Sequence, residues 1–287
     1  MTSIPDLRSL IKLLRIRQWY KNLLVFTPIV FANLFLDAQL ILVTTIAFFA
    51  FCTVASFVYI QNDIQDADKD ALHPIKRKRP IASGKITKKM AIGIAVILLI
   101  ITIILCSFLP PSFWAVILGY IILNIAYTHY LKHIFIIDVF VIGFGFILRV
   151  LGGAAVVNVM LSEWLFIATF LLAIILGFSK RNAEISHAED PAEHRSVLAL
   201  YDPMILRSFI IFATTSVLVV YFIYSIIVVQ IPAFVVTIPF VLYGALRFLS
   251  LSLVKGLDPD DMFKDRAFVA NFVLWIIIVL VALYAFR

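Results

Sequence analysis

Nine long apolar runs limit what this chain can fold into more than any other feature. The hydrocarbon core of a bilayer requires ~20 apolar residues per helix, with a range of about 17–25. Runs of this kind lie near 21–37, 39–61, 89–109, 112–131, 134–157, 163–179, 205–229, 232–251 and 268–286. With 63% hydrophobic and 14% charged residues, the composition excludes both a water-soluble globule and a disordered chain. We therefore predict an all-α polytopic membrane protein, a bundle of nine transmembrane helices.

The basic residues predict the orientation of these spans. Of the 24 Lys and Arg residues, 22 lie in the N-terminal segment or in and beside the loops after spans two, four, six and eight. The exceptions are Arg149, within span five, and Arg287, the last residue. Because cytoplasmic loops collect Lys and Arg, we expect a cytoplasmic N-terminus and an external C-terminus in a plasma membrane. Topology thus accounts for the net charge of +7, and we expect no nucleic-acid partner.

The first 20 residues form a basic, amphipathic segment. Ile4, Leu7, Ile11 and Leu14 recur at helical spacing within it. A secretory signal is the alternative, but no small-x-small cleavage site follows the apolar run. We expect an interfacial helix over 1–20 that leads into a single membrane domain covering 1–287. A homo-oligomer is compatible with this organisation.

An acidic stripe follows the second apolar run. If that helix continues beyond the membrane surface, Asn62, Asp63, Asp66 and Asp70 project at roughly 0, 100, 40 and 80° around its axis. Asp68 points elsewhere, near roughly 240°. Carboxylates that share one face repel each other unless a cation lies between them.

Two interpretations of this stripe remain open. Carboxylate and amide oxygens are the ligands that Mg²⁺ prefers, and Mg²⁺ is usually shared with substrate phosphates. The stripe then predicts a metal–diphosphate site at the cytoplasmic side of the bundle. The alternative is a solvated acidic helix end beside a basic loop.

A basic run follows directly, at Lys76-Arg77-Lys78-Arg79, between Pro74 and Pro80. A positively charged cytoplasmic loop is one interpretation. The other is an anionic substrate held between Mg²⁺ and these cations, since guanidinium groups bind phosphate through two parallel hydrogen bonds.

Arg149 lies within a predicted span, where charged residues are rare and usually face the protein interior or water. A structural pair with Asp138 would require the two residues to meet across ~16 Å of one helix, which is too far. We therefore expect Arg149 to face the interior of the bundle or water and to bind a partner other than Asp138.

These residues resemble a known family. The pattern Asn62-Asp63-x-x-Asp66-x-x-x-Asp70 resembles the N-D-x-x-D-x-x-x-D signature of the UbiA superfamily of intramembrane prenyltransferases. The extension from His73 to Gly84 resembles the decaprenyl-phosphate phosphoribosyltransferase branch. Further segments similar to that branch lie at 17–24, 127–149, 180–201 and 258–265. Asn182 departs from it, since a basic residue is expected there.

The resemblance implies an Mg²⁺-dependent, membrane-embedded transferase. Its branch moves a 5-phosphoribosyl group from phosphoribosyl pyrophosphate (PRPP) to a polyprenyl phosphate and releases pyrophosphate, a reaction associated with cell-wall precursor synthesis. The expected catalytic residues are Asp63, Asp66 and Asp70, and the expected metal ligands are these three with Asn62. The expected substrate contacts are Lys21, Lys76, Arg77, Arg79, Lys132, Asp138, Arg149, Lys180 and Arg181. Among them, the resemblance implies a lipid-phosphate or pyrophosphate contact for Arg149, and a second Mg²⁺ or a ribose hydroxyl for Asp138, near the start of span five.

Two other functions compete with this one. A UbiA-type prenyltransferase would move a prenyl group from a prenyl diphosphate to an aromatic or lipid acceptor. Such relatives usually carry a second aspartate-rich motif after span six, where this chain has the basic sequence Lys180-Arg181. A transporter without chemistry is the third possibility, but its site would usually lie near the membrane midplane rather than at one face.

Overall fold

The computed structural model describes residues 6–72, 76–187, 196–229 and 231–285. All regular secondary structure in these ranges is helical. The α-helices are α1 (Leu7–Leu13), α2 (Thr27–Phe31), α3 (Ala38–Leu72), α4 (Lys88–Cys106), α5 (Pro111–His129), α6 (Ile137–Val156), α7 (Glu163–His187), α8 (Pro203–Ile223), α9 (Ile238–Leu249) and α10 (Arg266–Ala285). Short π-helical turns at Tyr224–Val228 and Ser250–Val254 extend α8 and α9.

Local side chains determine where several of these helices begin. The Asp37 carboxylate accepts hydrogen bonds from the backbone N–H groups of Gln39 and Leu40 at the start of α3. Thr87 caps α4 in the same way, and Asp202 caps α8 immediately before Pro203. Each cap satisfies N–H groups that have no partner within the helix.

Within the described residues, seven helical segments are long and apolar enough to cross a membrane, and the apolar part of α10 is shorter. The predicted all-α, multi-pass membrane architecture is confirmed, whereas the count of nine spans is not. The predicted first span at 21–37 consists of a 3-10 helix, Ile16–Phe26, followed by the five-residue α2. Asn33, with a left-handed φ of 59°, follows α2, so no single long helix forms there.

The prediction that the second apolar helix continues past its apolar run is confirmed. α3 is 35 residues long and ends at Leu72, which places the whole acidic stripe on one continuous helix. Large apolar side chains such as Ile100, Phe212 and Val281 are exposed on the helices. Lipid tails solvate such side chains as well as a protein core would, which is consistent with a membrane domain.

The chain divides into two compact units. Unit 1 contains Met1–His129 and Leu148–Leu161, and unit 2 contains Tyr130–Ile147 and Ser162–Arg287. Helix α6 therefore contributes its first part to unit 2 and its second part to unit 1. The expected single domain over 1–287 stays a prediction.

In unit 1, aromatic side chains pack at the centre of the core. The Phe51 ring lies 5.7 Å from the rings of both Phe113 and Tyr120, in edge-to-face geometry. Gly152 of α6 allows the helix to approach Phe51, because a β-carbon there would lie 2.5 Å from the ring. In unit 2, α7 packs along α8, and Phe178, Leu206 and Ile210 are buried between them.

Gly153 should be intolerant of even one added methyl group. A β-carbon at this position would lie 2.0 Å from the carbonyl oxygen of Val25, and backbone cannot move aside as a side chain can. We expect Gly153→Ala to destabilise the protein by about 1–3 kcal/mol or more, measured as a lower unfolding midpoint in detergent.

Gly93→Ala is the matched control, since a methyl group there meets nothing within 4 Å on helix α4. It should be neutral or stabilising by up to ~1 kcal/mol, because alanine favours helix more than glycine does. Equal unfolding midpoints for the two variants would contradict the close packing of Gly153.

Candidate functional site

The acidic stripe lies on the last turns of α3 and has a buried and an accessible edge. Asp63 and Asp70 are buried, at 3% and 4% exposure, alongside Ile60 and Ala67. Asn62 and Asp66 are only partly buried. The helical angles explain this division, because Asn62 and Asp66 project roughly 40–100° away from Asp63 and Asp70. The four residues of the predicted stripe thus lie on one continuous helix and differ in accessibility.

Arg79 holds the buried edge together. Its Nη1 donates hydrogen bonds to Asp63 Oδ1 at 3.0 Å and to Asp70 Oδ2 at 2.6 Å. The backbone around Arg79 is ordered by two hydrogen bonds, Arg79 N–H to Lys76 O and Ser83 N–H to Arg79 O, each 2.9 Å. A cation therefore does lie between two of the like-charged carboxylates, and it comes from the basic loop that follows them.

Arg15 is a second cation at this edge, and sequence reasoning missed it. Its Nη2 donates to Asp63 Oδ1 at 2.6 Å, and its guanidinium lies 4.6 Å from the centre of the Tyr59 ring. Arg15 has a left-handed φ of 50° where α1 gives way to the 3-10 helix. Its spacing in the sequence does not distinguish it from the other cations of the N-terminal segment.

The donor chemistry of the stripe suits a hard divalent cation, although the structure does not assemble a metal cage. Among the described residues, no group of three or more His, Cys, Asp or Glu side chains is arranged to hold a metal ion. Two of the four predicted ligands, Asp63 and Asp70, accept hydrogen bonds from guanidinium groups, and their role as metal ligands stays a prediction. Asn62 and Asp66, one helical turn apart on the accessible edge, supply the amide and carboxylate oxygens that Mg²⁺ prefers.

Arg149 is buried in a polar cluster of unit 1. Its Nε donates to Asn22 Oδ1 at 2.7 Å, and its Nη2 donates to the Tyr120 hydroxyl at 2.9 Å. The Asn22 amide in turn donates to Cys52 Sγ at 3.3 Å. These contacts satisfy part of the hydrogen-bonding capacity of a charge that would be costly in an apolar helix bundle. The expected phosphate contact of Arg149 stays a prediction.

In unit 2, Asp138 and Arg181 form a buried ion pair. Arg181 Nε donates to Asp138 Oδ2 at 2.7 Å, and Arg181 Nη1 donates to Glu184 Oε2 at 2.6 Å. The Tyr201 hydroxyl donates to Asp138 Oδ1 at 2.7 Å and accepts a hydrogen bond from the Ile136 backbone N–H. Arg181 is 1% exposed and Asp138 is fully buried. Their expected substrate contacts stay predictions.

Two further observations concern the segments that resemble the family. Asn182, where a basic residue was expected, is buried and donates to the carbonyl oxygen of Ser252 at 3.1 Å. The remaining predicted substrate cations are exposed or partly exposed, and their roles stay predictions. They are Lys21, Lys76 and Arg77 in unit 1 and Lys132 and Lys180 in unit 2.

The family and the fold are shared with known proteins. The sequence model of the UbiA prenyltransferase family matches residues 24–275, and the chain belongs to this family. It is 32% identical over 218 residues to the decaprenyl-phosphate phosphoribosyltransferase of Mycolicibacterium smegmatis, covering 74% of this chain and 69% of that protein. The enzyme of the same name from Corynebacterium glutamicum is 36% identical over 219 residues, covering 74% of this chain and 66% of the relative.

A solved structure shows the same fold. The UbiA homolog from Archaeoglobus fulgidus bound to GPP and Mg²⁺ aligns with a TM-score of 0.73 and 15% identity, covering 96% of this chain and 99% of the other. The predicted family and fold are therefore confirmed, and the chain is a multi-pass membrane protein of the UbiA type.

Removing the Arg79 side chain should leave two buried carboxylates without this cation. We expect Arg79→Ala to destabilise the protein by up to about 3 kcal/mol, because breaking a buried ion pair leaves uncompensated charge. Lys88→Ala is the control, since its pair with Asp68 is exposed and should contribute only about 0–1 kcal/mol.

A double-mutant cycle tests the cause of the Arg79 effect. Asp63→Asn on the Arg79→Ala background should restore part of the lost stability, since it removes one of the stranded charges. Unfolding in detergent measures all variants. If the effects of Arg79→Ala and Asp63→Asn simply add, the two side chains are not energetically coupled.

Tyr201 should make the stability sensitive to alkaline pH. Burial, followed by the hydrogen bond and charge of Asp138, raises the pKa of the Tyr201 hydroxyl above its ordinary value. Above pH ~10 the tyrosine ionises in the unfolded chain but stays protonated in the folded one. The free energy of unfolding is therefore unaffected below that pH and decreases as the pH rises above it.

The substitution Tyr201→Phe removes the ionisable hydroxyl and therefore its contribution to the pH dependence of stability. Between pH 10 and 11 the wild type should lose up to roughly 1 kcal/mol more stability than the variant. Unfolding of both proteins in detergent from pH 8 to 11 measures the difference, and other tyrosines contribute equally to each. Parallel curves would contradict a raised pKa at Tyr201.

Proposed function

We propose that this chain transfers a 5-phosphoribosyl group from PRPP to a polyprenyl phosphate and releases pyrophosphate. The similarity to curated proteins named decaprenyl-phosphate phosphoribosyltransferase carries this proposal. The oxygen-rich end of α3 supports the proposal less specifically, because its carboxylate and amide oxygens would hold Mg²⁺ equally well for any diphosphate substrate. PRPP is a soluble cytoplasmic anion, so we place the stripe at the cytoplasmic face of the plasma membrane.

The proposed roles follow from accessibility. Asn62 and Asp66 would hold Mg²⁺, with Asp63 and Asp70 retained as candidate ligands whose carboxylates now contact Arg79. When bound, the metal would supply charge neutralisation for the departing pyrophosphate. Arg79 and Arg15 would position the carboxylates, and Lys76 and the exposed Arg77 would attract donor phosphates.

The chemistry requires positioning more than proton transfer. An oxygen of the lipid phosphate bonds to C1 of the ribose while the bond from C1 to the pyrophosphate oxygen breaks. The attacking phosphate is already anionic at neutral pH, so no strong general base is needed. Cations of the chain near the donor would stabilise the charge that develops on the leaving group.

A reconstituted assay tests the proposal. The purified chain is incubated with Mg²⁺, polyprenyl phosphate and PRPP labelled in the ribose. Label should enter the lipid phase, and omission of polyprenyl phosphate should prevent this. Transfer only from a prenyl diphosphate to an acceptor would replace the proposal with the prenyltransferase alternative, and substrate movement without turnover would support a transporter.

Asp66→Asn should lower turnover by at least about 100-fold while the protein remains folded in detergent. The reason is the loss of a carboxylate that would hold Mg²⁺, and with it the metal's neutralisation of the departing pyrophosphate. Asp68→Asn is the matched control two residues away, because the Asp68 side chain is 88% exposed and pairs with Lys88. It should retain nearly full activity.

Both variants are measured in the PRPP assay at saturating Mg²⁺. Retained activity in Asp66→Asn would remove Asp66 from the metal site. Equal losses in the two variants would indicate a general effect of charge on α3 rather than a specific role of Asp66.

A further inference from the structure

A cationic cavity lies in unit 1, lined by the start of α1 and the loop that precedes α4. Its volume is about 190 Å³, and four basic side chains line it: Arg8, Lys12, Lys78 and Lys85. None of these four was among the expected substrate contacts. Within the described part of the chain, none of them forms an ion pair with a carboxylate.

One carboxylate, that of Asp6, also lines the cavity. A hydrogen bond from the Ser9 side chain, assisted by the charge of Lys85, lowers the pKa of Asp6. Asp6 is therefore ionised at neutral pH, but it offsets only one of the four positive charges. The cavity has a strong positive excess and attracts anions.

The loop side of the cavity is held by backbone hydrogen bonds and uses different side chains from those at the acidic stripe. The Ile86 N–H donates to Pro80 O at 3.0 Å, and the Gly84 N–H donates to Ile81 O at 3.0 Å. Gly84 has a φ of +73°, which glycine adopts without strain. Arg79 contacts the carboxylates of α3, whereas its neighbour Lys78 lines the cavity, so one loop serves two different sites.

Helix α1 presents three faces, and two of them suit a membrane surface. Leu10 and Leu13 pack into a core cluster of unit 1 and fix the helix to the protein. Arg8 and Lys12, one turn apart, form the cationic face. Leu7 and Ile11 are 73% and 43% exposed, and they project roughly 60–140° around the helix from Arg8 and Lys12.

We propose that this cavity binds the phosphate group of an anionic membrane phospholipid. Exposed apolar side chains beside Lys and Arg are typical of helices that lie in the plane of the membrane interface. Leu7 and Ile11 would contact the acyl-chain boundary, which places the neighbouring cations at the level of the headgroups. A free phosphate would use the same cations but would have no need for the apolar face.

Native mass spectrometry of the full chain in a neutral detergent tests the proposal. Phosphatidylglycerol is titrated against phosphatidylcholine, and the affinity of each successive lipid is measured. We expect at least one phosphatidylglycerol to bind more tightly than phosphatidylcholine does. Two double variants, Arg8→Gln with Lys12→Gln and Lys78→Gln with Lys85→Gln, should each weaken that binding about tenfold or more, since each cation contributes to attraction of anionic lipid.

Lys89→Gln with Lys255→Gln is the matched control, because both lysines are exposed and neither lines the cavity. This control loses the same net charge but should bind phosphatidylglycerol as the wild type does. Unfolding midpoints establish that all variants are folded, which is expected because the substituted side chains lie at the surface.

Two results would overturn the proposal. Wild-type affinity for phosphatidylglycerol in both cavity variants would show that the lipid binds elsewhere. Complete displacement of the lipid by millimolar inorganic phosphate, with equal binding of phosphate alone, would identify a soluble-phosphate site instead. A Leu7→Ser, Ile11→Ser variant separates the two sources further, since it should weaken lipid binding and leave any phosphate binding unchanged.

Discussion

The structure of unit 1 depends on the pairing of carboxylates with guanidinium groups at the end of α3. Asp63 and Asp70 are buried on the same helical face, and their mutual repulsion would oppose burial. Arg79 contacts both, and Arg15 contacts Asp63 from a separate segment. The N-terminal segment and the basic loop are thereby joined to α3. The same contacts leave Asn62 and Asp66 on the accessible edge.

Each unit contains a buried arginine whose guanidinium group donates hydrogen bonds to specific side chains. Arg149 donates hydrogen bonds to Asn22 and to the Tyr120 hydroxyl, whereas Arg181 is paired with the carboxylates of Asp138 and Glu184. In a protein surrounded by lipid, an unsatisfied charge is particularly unfavourable, so each guanidinium requires a specific set of partners. The Arg181 side chain joins Asp138 and Glu184 within unit 2 through these ion pairs.

The cations that are close together in the sequence make different contacts in the structure. Arg79 contacts the acidic stripe, Lys78 lines the cavity beside α1, and Lys88 pairs with Asp68 at the surface. Their neighbours in sequence do not predict these differences, because adjacent residues in a turn point in different directions. This division allows one short loop to support both a proposed catalytic site and a proposed lipid site.

The sequence by itself determined the membrane class, the helical architecture and the family, because these depend on local features: apolar runs, helical spacing and a contiguous motif. It also predicted the shared face of Asn62, Asp63, Asp66 and Asp70, since positions on one helix follow from its 3.6-residue period. It did not predict that the apolar run 21–37 is divided between the end of a 3-10 helix, Ile16–Phe26, and the short α2, which is followed by Asn33 in a left-handed conformation. Only the tertiary structure decided that Arg15 reaches Asp63 and that Tyr201 reaches Asp138, because those partners are 48 and 63 residues apart and meet only through packing.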